Sequence, residues 1–258
     1  MIEQKITILG SGTSQGIPVI GCHCASCSST DSKDKRFRTS ALIQVNNIRI
    51  LIDAGPDLRM QLLTNRIEEI DAVLFTHEHQ DHTAGLDDLR PIILKQKKGM
   101  PLWCSSQVQK RLEEQYSYTI KNANYPGVPK FQYCNFEEDH FEIEGVKIVR
   151  IHAKHGELDV SGFRIGAISY LTDLNYISDE ELEKVKGSSL LILGCLRRES
   201  HYSHFNLEEA IELGRKSRVP RILFTHLSHH FEVQSQLTRA LPKGIELAYD
   251  GQIIEIEY

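Results

Sequence analysis

Short apolar runs separated by turn residues dominate the chain. Residues 6–9, 41–45, 48–52 and 72–75 each read as a β-strand, and Asn46-Asn47 between the second and third fits a tight hairpin turn. Helical spacing follows at 58–64, after Asp57, and at 86–95. From about 107 to 139, tyrosines and prolines show little periodicity beyond one short helix, which predicts an insertion or lid. Strands resume at 146–151, 162–168, 190–193, 222–224, 246–248 and 253–256, with helices at 179–186 and 207–215. The hairpins argue against an all-parallel sheet. Two mixed sheets packed face to face, with helices outside, fit the order best, in one α/β domain over residues 1–258.

Composition narrows the function classes. A hydrophobic fraction of 40% and a charged fraction of 25% are those of an ordinary globular chain, long enough at 258 residues to bury a large core. The net charge of −5 weighs against a nucleic-acid partner. The cationic group Lys95, Lys97 and Lys98 reads as a solvated loop. MIEQKITILG is too short and charged for a secretory leader, and no apolar run would span a membrane, so a cytoplasmic location is expected. Cys104, Cys134 and Cys195 are scattered, as reduced core residues are, whereas Cys22, Cys24 and Cys27 are clustered as metal ligands are.

The chemistry concentrates in Leu74-Phe75-Thr76-His77-Glu78-His79-Gln80-Asp81-His82. His77 and His79, two apart at a strand end, can project toward one ion. Asp81 and His82, at the following turn, can reach a second. This HxHxDH segment resembles the signature of the metallo-β-lactamase superfamily, and the likeness extends over nearly the whole chain. It implies a four-layer αββα sandwich of α/β (α+β) class and a dinuclear site. It also implies further ligands: His155 for the first ion, with His152 as alternative, Asp173 bridging both, and His226 for the second. Asp53 resembles the carboxylate that orients a ligand histidine, although a turn aspartate fits it as well.

Gly12-Thr13-Ser14-Gln15-Gly16-Ile17-Pro18 followed by GCHCASC is similar to the start of the phosphoribosyl 1,2-cyclic phosphate phosphodiesterases of phosphonate breakdown. That resemblance implies a structural zinc on Cys22, Cys24, Cys27 and His229, with His230 and His23 as spares. Ser203-His204 leading into Leu207-Glu208-Glu209-Ala210 resembles the motif that carries a catalytic histidine in phosphodiesterase branches including ribonuclease Z. His204 is then the general acid, with His201 second, beside the catalytic carboxylates Asp81 and Asp173.

Taken together, these resemblances imply a metal-dependent hydrolase. It would cleave a small or cyclic phosphodiester with a metal-bound hydroxide, using two divalent ions (Zn or Mn) besides the structural zinc. A tRNA 3′-processing endonuclease and a non-hydrolytic accessory protein on the same fold are the alternatives. A small phosphodiester is the expected partner, no membrane is involved, and a homodimer stays open.

Overall fold

Runs with no polar face become strands covered on both sides, and alternation along each strand divides its residues between two cores. A computed structural model describes residues 3–121, 125 and 127–257. Its strands are β1 (Glu3–Gly10), β2 (Ser40–Val45), β3 (Ile48–Ile52), β4 (Ala72–Leu74), β5 (Met100–Cys104), β6 (Phe131–Asn135) and β7 (His140–Ile143). They continue as β8 (Val146–His155), β9 (Leu158–Ile165), β10 (Ile168–Leu171), β11 (Leu190–Gly194), β12 (Arg221–Thr225), β13 (Ile245–Leu247) and β14 (Ile253–Glu257). One sheet runs β14-β1-β2-β3-β4-β5-β6 and the other β13-β12-β11-β10-β9-β8-β7. Both are mixed: β3 to β6 pair in parallel, as do β10 to β13, while the hairpins are antiparallel.

The helices are α1 (Ala25–Ser28), α2 (Leu58–Thr64), α3 (Gln80–Thr83), α4 (Arg90–Gln96), α5 (Ser106–Gln115), α6 (Ser117–Lys121), α7 (Asp179–Glu183), α8 (Leu207–Ser217) and α9 (Gln234–Ala240). Ile50 and Ile52 of β3 face the core between the sheets, against Phe163 and Ile192. Leu51, between them, turns the other way into a second core with Leu58, Ile92 and Val108 of the flanking helices. On the far side Leu182, Ala210 and Leu237 cover Leu191, Leu193 and Phe224. Three cores between four layers make the expected αββα sandwich. Each fully buried Leu or Ile contributes roughly 1.5–3 kcal/mol.

The structure departs from the sequence pattern in several places. The run 162–168 is broken by a turn at Gly166 (φ 54°) into β9 and β10, which pair back on each other through Ile165 and Ile168. Residues 86–95 divide into a 3-10 turn, Leu86–Leu89, and α4. β5, β6 and β7 are additional: Pro101 and the polar residues interrupting 131–143 mask their alternation. The segment 107–139 thus contributes most of α5, all of α6 and the edge strand β6, while 122–124 and 126 lie outside the described residues. No described helix is long and apolar enough to cross a membrane.

Candidate active site

The chemistry-bearing residues collect where strands end. Asp53 follows β3, His77 lies just beyond β4, Asp173 just beyond β10, and His226 directly after β12. Asp53, Asp173 and His226 have φ of 61°, 52° and 59°, a left-handed conformation that non-glycine residues seldom adopt. Such strain persists only where surrounding structure enforces it, and it clusters at functional sites. Packing enforces it here: a Cβ on Gly194 would stand 3.1 Å from the Asp173 nitrogen. The loop carrying Asp81 is seated equally tightly, since a Cβ on Gly55 would meet the Asp81 carbonyl oxygen at 2.1 Å.

His77, His79 and His155 each bring one ring nitrogen within 4.8 Å of the others, and Asp81, His82, Asp173 and His226 form a second such set. Asp173 also falls in a set with His155 and His204, so it links the two. The rings are oriented from behind. The Ser203 carbonyl can only accept, so His155 Nδ1, 2.7 Å away, carries the proton and leaves Nε2 as a lone pair. Asp53 Oδ2 does the same for His82 Nδ1 at 2.7 Å. Thr76 Oγ1 donates to Asp53 at 2.8 Å and therefore accepts from His77 Nδ1 at 2.9 Å. All three rings are held with Nε2 available to a ligand.

These nitrogens and carboxylates fit divalent ions. His82 Nε2 and both ring nitrogens of His226 are buried with no hydrogen-bond partner among the described residues. Carboxylate oxygens nonetheless stand close: Asp173 Oδ1 is 3.1 Å from His226 Nε2, and Asp81 and Asp173 oxygens are each 3.3 Å from His82 Nε2. Convergence without hydrogen-bond geometry is what groups facing a shared cation show. Burial opposes charge on His82, yet Asp173, Asp81 and Asp53 overcome it and push the ring well above its ordinary value. Burial, then His82, pushes His77 well below. Burial also opposes ionisation of Asp173, but His226 and His82 hold it well below the usual carboxylate range. Asp81 is likewise held low against its burial, chiefly by His82.

The cysteines form a separate centre. Cys22, Cys24, Cys27 and His229 bring their donor atoms within 4.8 Å of one another, with His229 Nδ1 3.3 Å from Cys22 Sγ and 3.6 Å from Cys24 Sγ. Neither His23 nor His230 joins them. Burial works against the Cys24 thiolate, but the Cys27 N–H and His229 bring it down to about 6, while burial and the neighbouring sulfurs push Cys27 up to about 11. Closely set thiolates that cannot all ionise unaided suit a zinc ion.

His204 stacks on His226 at 4.8 Å and 18°, with Nδ1 3.8 Å from Asp173 Oδ1. It shares a donor set with His155 and Asp173. Burial, then His226, lowers it to about 2. His201 is further out, its ring 5.1 Å from that of His204. His152 points away and pairs with Asp139 at 2.6 Å, so His155 and not His152 joins the cluster. The grouping of Asp139, His152 and Glu181 already holds the Lys184 ammonium, 2.8 Å from both carboxylates. Nothing along the chain marks the Ser203 carbonyl or Asn175, whose roles exist only through long-range contact. An open cleft of about 830 Å³, lined by Ile48, Phe141, Val146 and Arg164 among others, shares no residue with the histidine sets.

Comparison with known proteins places the chain in one fold family. The family model for the beta-lactamase superfamily domain matches residues 48–227. A Porphyromonas gingivalis protein named octanoyltransferase is 39% identical over 96% of this chain but only 50% of its own length, so this chain spans half of that relative. A solved structure described as a new diphosphatase from the PhnP family is 35% identical, with a TM-score of 0.92 over 99% of this chain and 98% of that one. Zinc-bound PqqB from Methylobacterium extorquens shares the fold, with a TM-score of 0.80 at 19% identity over 97% of this chain and 99% of its own.

Proposed function

We propose that this chain, which belongs to the beta-lactamase superfamily and lies close to its PhnP family, is a dinuclear metal-dependent phosphodiesterase acting on small or cyclic phosphodiesters. Its class as a hydrolase comes with the family; the bond it cleaves is our reading of the site. One ion would be held by His77, His79 and His155, the other by Asp81, His82 and His226, with Asp173 shared. Zinc or manganese suits these nitrogen and carboxylate donors. When bound, such a pair supplies an activated water and offsets charge on the phosphoryl oxygens.

The chain's own groups do the rest. Asp53, Thr76 and the Ser203 carbonyl keep the ligand rings in one tautomer and orientation. His204, with Nδ1 3.8 Å from Asp173 Oδ1, would hold the proton that the departing oxygen needs. Burial and His226 disfavour charge on its ring, and Asp173 favours it. The cysteine centre would fasten the N-terminal loop beside the segment carrying His226.

The single observation that carries this reading is Asp173, which belongs both to the second donor set and to the set containing His155 and His204. The diphosphatase activity named for the PhnP-family structure is also chemistry at phosphorus. The test is a turnover screen on a cyclic alkyl phosphodiester, a linear dialkyl phosphodiester, a dialkyl diphosphate and an octanoyl ester, with metal analysis of the same sample. Close to three ions per chain and metal-dependent P–O cleavage of the diesters support it. Cleavage of the octanoyl ester alone by fully loaded protein would overturn it.

A further inference from the structure

The loop between β11 and α8 has a pinned backbone. Leu196 N donates to the Phe205 carbonyl at 3.0 Å, and Phe205 N donates to that of Leu174 at 2.9 Å. Asn175 Nδ2 donates to the Tyr202 carbonyl at 3.1 Å, while its Oδ1 accepts from Gly156 N at 2.7 Å. The next carbonyl, of Ser203, is the one that orients His155. Yet the residue at the tip of this anchored loop, Tyr202, is left 83% exposed. Its ring edge lies 3.8 Å from where a Cβ on Gly156 would stand, one residue beyond His155. Its centroid is 4.7 Å from the His201 ring, tilted by 34°, and the His201 ring is 5.1 Å from that of His204.

Single exposed aromatic residues are common and need no explanation by themselves. Here the backbone is fixed on both sides, and a line of rings runs from Tyr202 through His201 to His204. A ring presented this way stacks another flat ring at little ordering cost, because its loop is already held. Arg197 adds positive charge on the same loop, its guanidinium donating to the Glu199 and Ser200 carbonyls.

We infer that Tyr202, with His201 beside it, is a binding platform for a flat heteroaromatic ring, such as a nucleobase, on the leaving-group side of the substrate. This deepens the phosphodiesterase reading and rests on it for the word "leaving". Water adds to phosphorus, the P–O bond to the ring-bearing alcohol breaks, and that alcohol's oxygen takes up a proton beside His204. Tyr202 itself binds and orients.

Adenosine 5′-(methyl phosphate) tests the assignment, because its two alcohols leave with similar ease. Wild-type protein should release adenosine and methyl phosphate in excess over AMP and methanol. Tyr202→Ala, a surface change that leaves packing intact, should shift that ratio toward AMP and methanol. It should also weaken equilibrium binding of AMP by roughly 5- to 150-fold, the range for loss of one base–aromatic stack. Tyr202→Phe should restore both to within about twofold. Unchanged AMP affinity in Tyr202→Ala overturns the platform whatever the turnover. If no diester is cleaved by loaded wild type but AMP binding still falls, the platform stands and the phosphodiesterase reading fails instead.

Discussion

Replacing Asp53 with Asn isolates the group behind His82. Asp53 is fully buried; its Oδ1 accepts from Thr76 N at 2.8 Å, and its Oδ2 accepts from Thr76 Oγ1 at 2.8 Å and His82 Nδ1 at 2.7 Å. Asn keeps the volume and tolerates the φ of 61°. It nevertheless puts a donor where a carboxylate oxygen accepted two bonds. With the amide oxygen toward Thr76 N, the NH2 group faces His82 Nδ1, and relief requires the His82 proton to move to Nε2, the atom 3.3 Å from Asp81 and Asp173. With the amide reversed, two donors meet at Thr76 N, at about 1–3 kcal/mol for the buried group left unpaired. Loss of such an orienting partner lowers metal affinity about 10- to 100-fold, or about 1.4–2.7 kcal/mol. In metal-free protein the lost pairing is partly offset by removal of a buried charge, so affinity is the discriminating readout. Chelator competition should show one ion per chain weakened by that factor, with the cysteine-bound ion unaffected. Wild-type affinity for all ions in Asp53→Asn would refute the tautomer argument.

Three further outcomes follow from the geometry. Cys24→Ser should release one zinc and lower the melting temperature while the histidine-site ions remain, because metal affinity there is partly folding free energy; full zinc content with an unchanged melting temperature would remove the cysteine centre. His204→Ala should slow cleavage of an alkyl phosphodiester by about 100- to 10,000-fold without loss of metal, and a p-nitrophenyl ester far less; equal losses on both would make His204 a positioning or ligand residue. Burial pushes Asp250 up to about 6 despite bonds from Phe37 and Ser11. It therefore holds its proton more tightly folded than unfolded, and its stabilisation, full below about 3.8, is lost as pH rises through about 6. Between pH 5 and 7.5 the wild type should lose about 1.4 kcal/mol relative to Asp250→Asn, measured by urea unfolding, and parallel pH profiles would contradict this.

The αββα order was legible because each apolar run fixes a strand locally and each strand's end is marked by a polar residue. The same logic placed Asp53, His77, Asp173 and His226 at strand termini. It failed at β5 and β6, where Pro101 and the tyrosine-rich stretch hide the alternation, and at Gly166, where only pairing of Ile165 with Ile168 reveals the hairpin.

By itself, the sequence determined which residues could bind ions, since HxHxDH, the CxCxxC cysteine cluster and the Thr-His and Thr-Asp strand endings are local patterns. Tertiary structure alone decided which of them meet. His155 joins His77 and His79 while His152 turns to Asp139, because alternation along β8 sends residues three apart to opposite faces. His229 rather than His230 faces the cysteines, and Tyr202 is left in water while the backbone around it is tied down. Tautomers too belong to the fold: the Ser203 carbonyl lies 48 residues from His155 and the Asp53 carboxylate 29 from His82, distances along the chain at which no local pattern reports a contact.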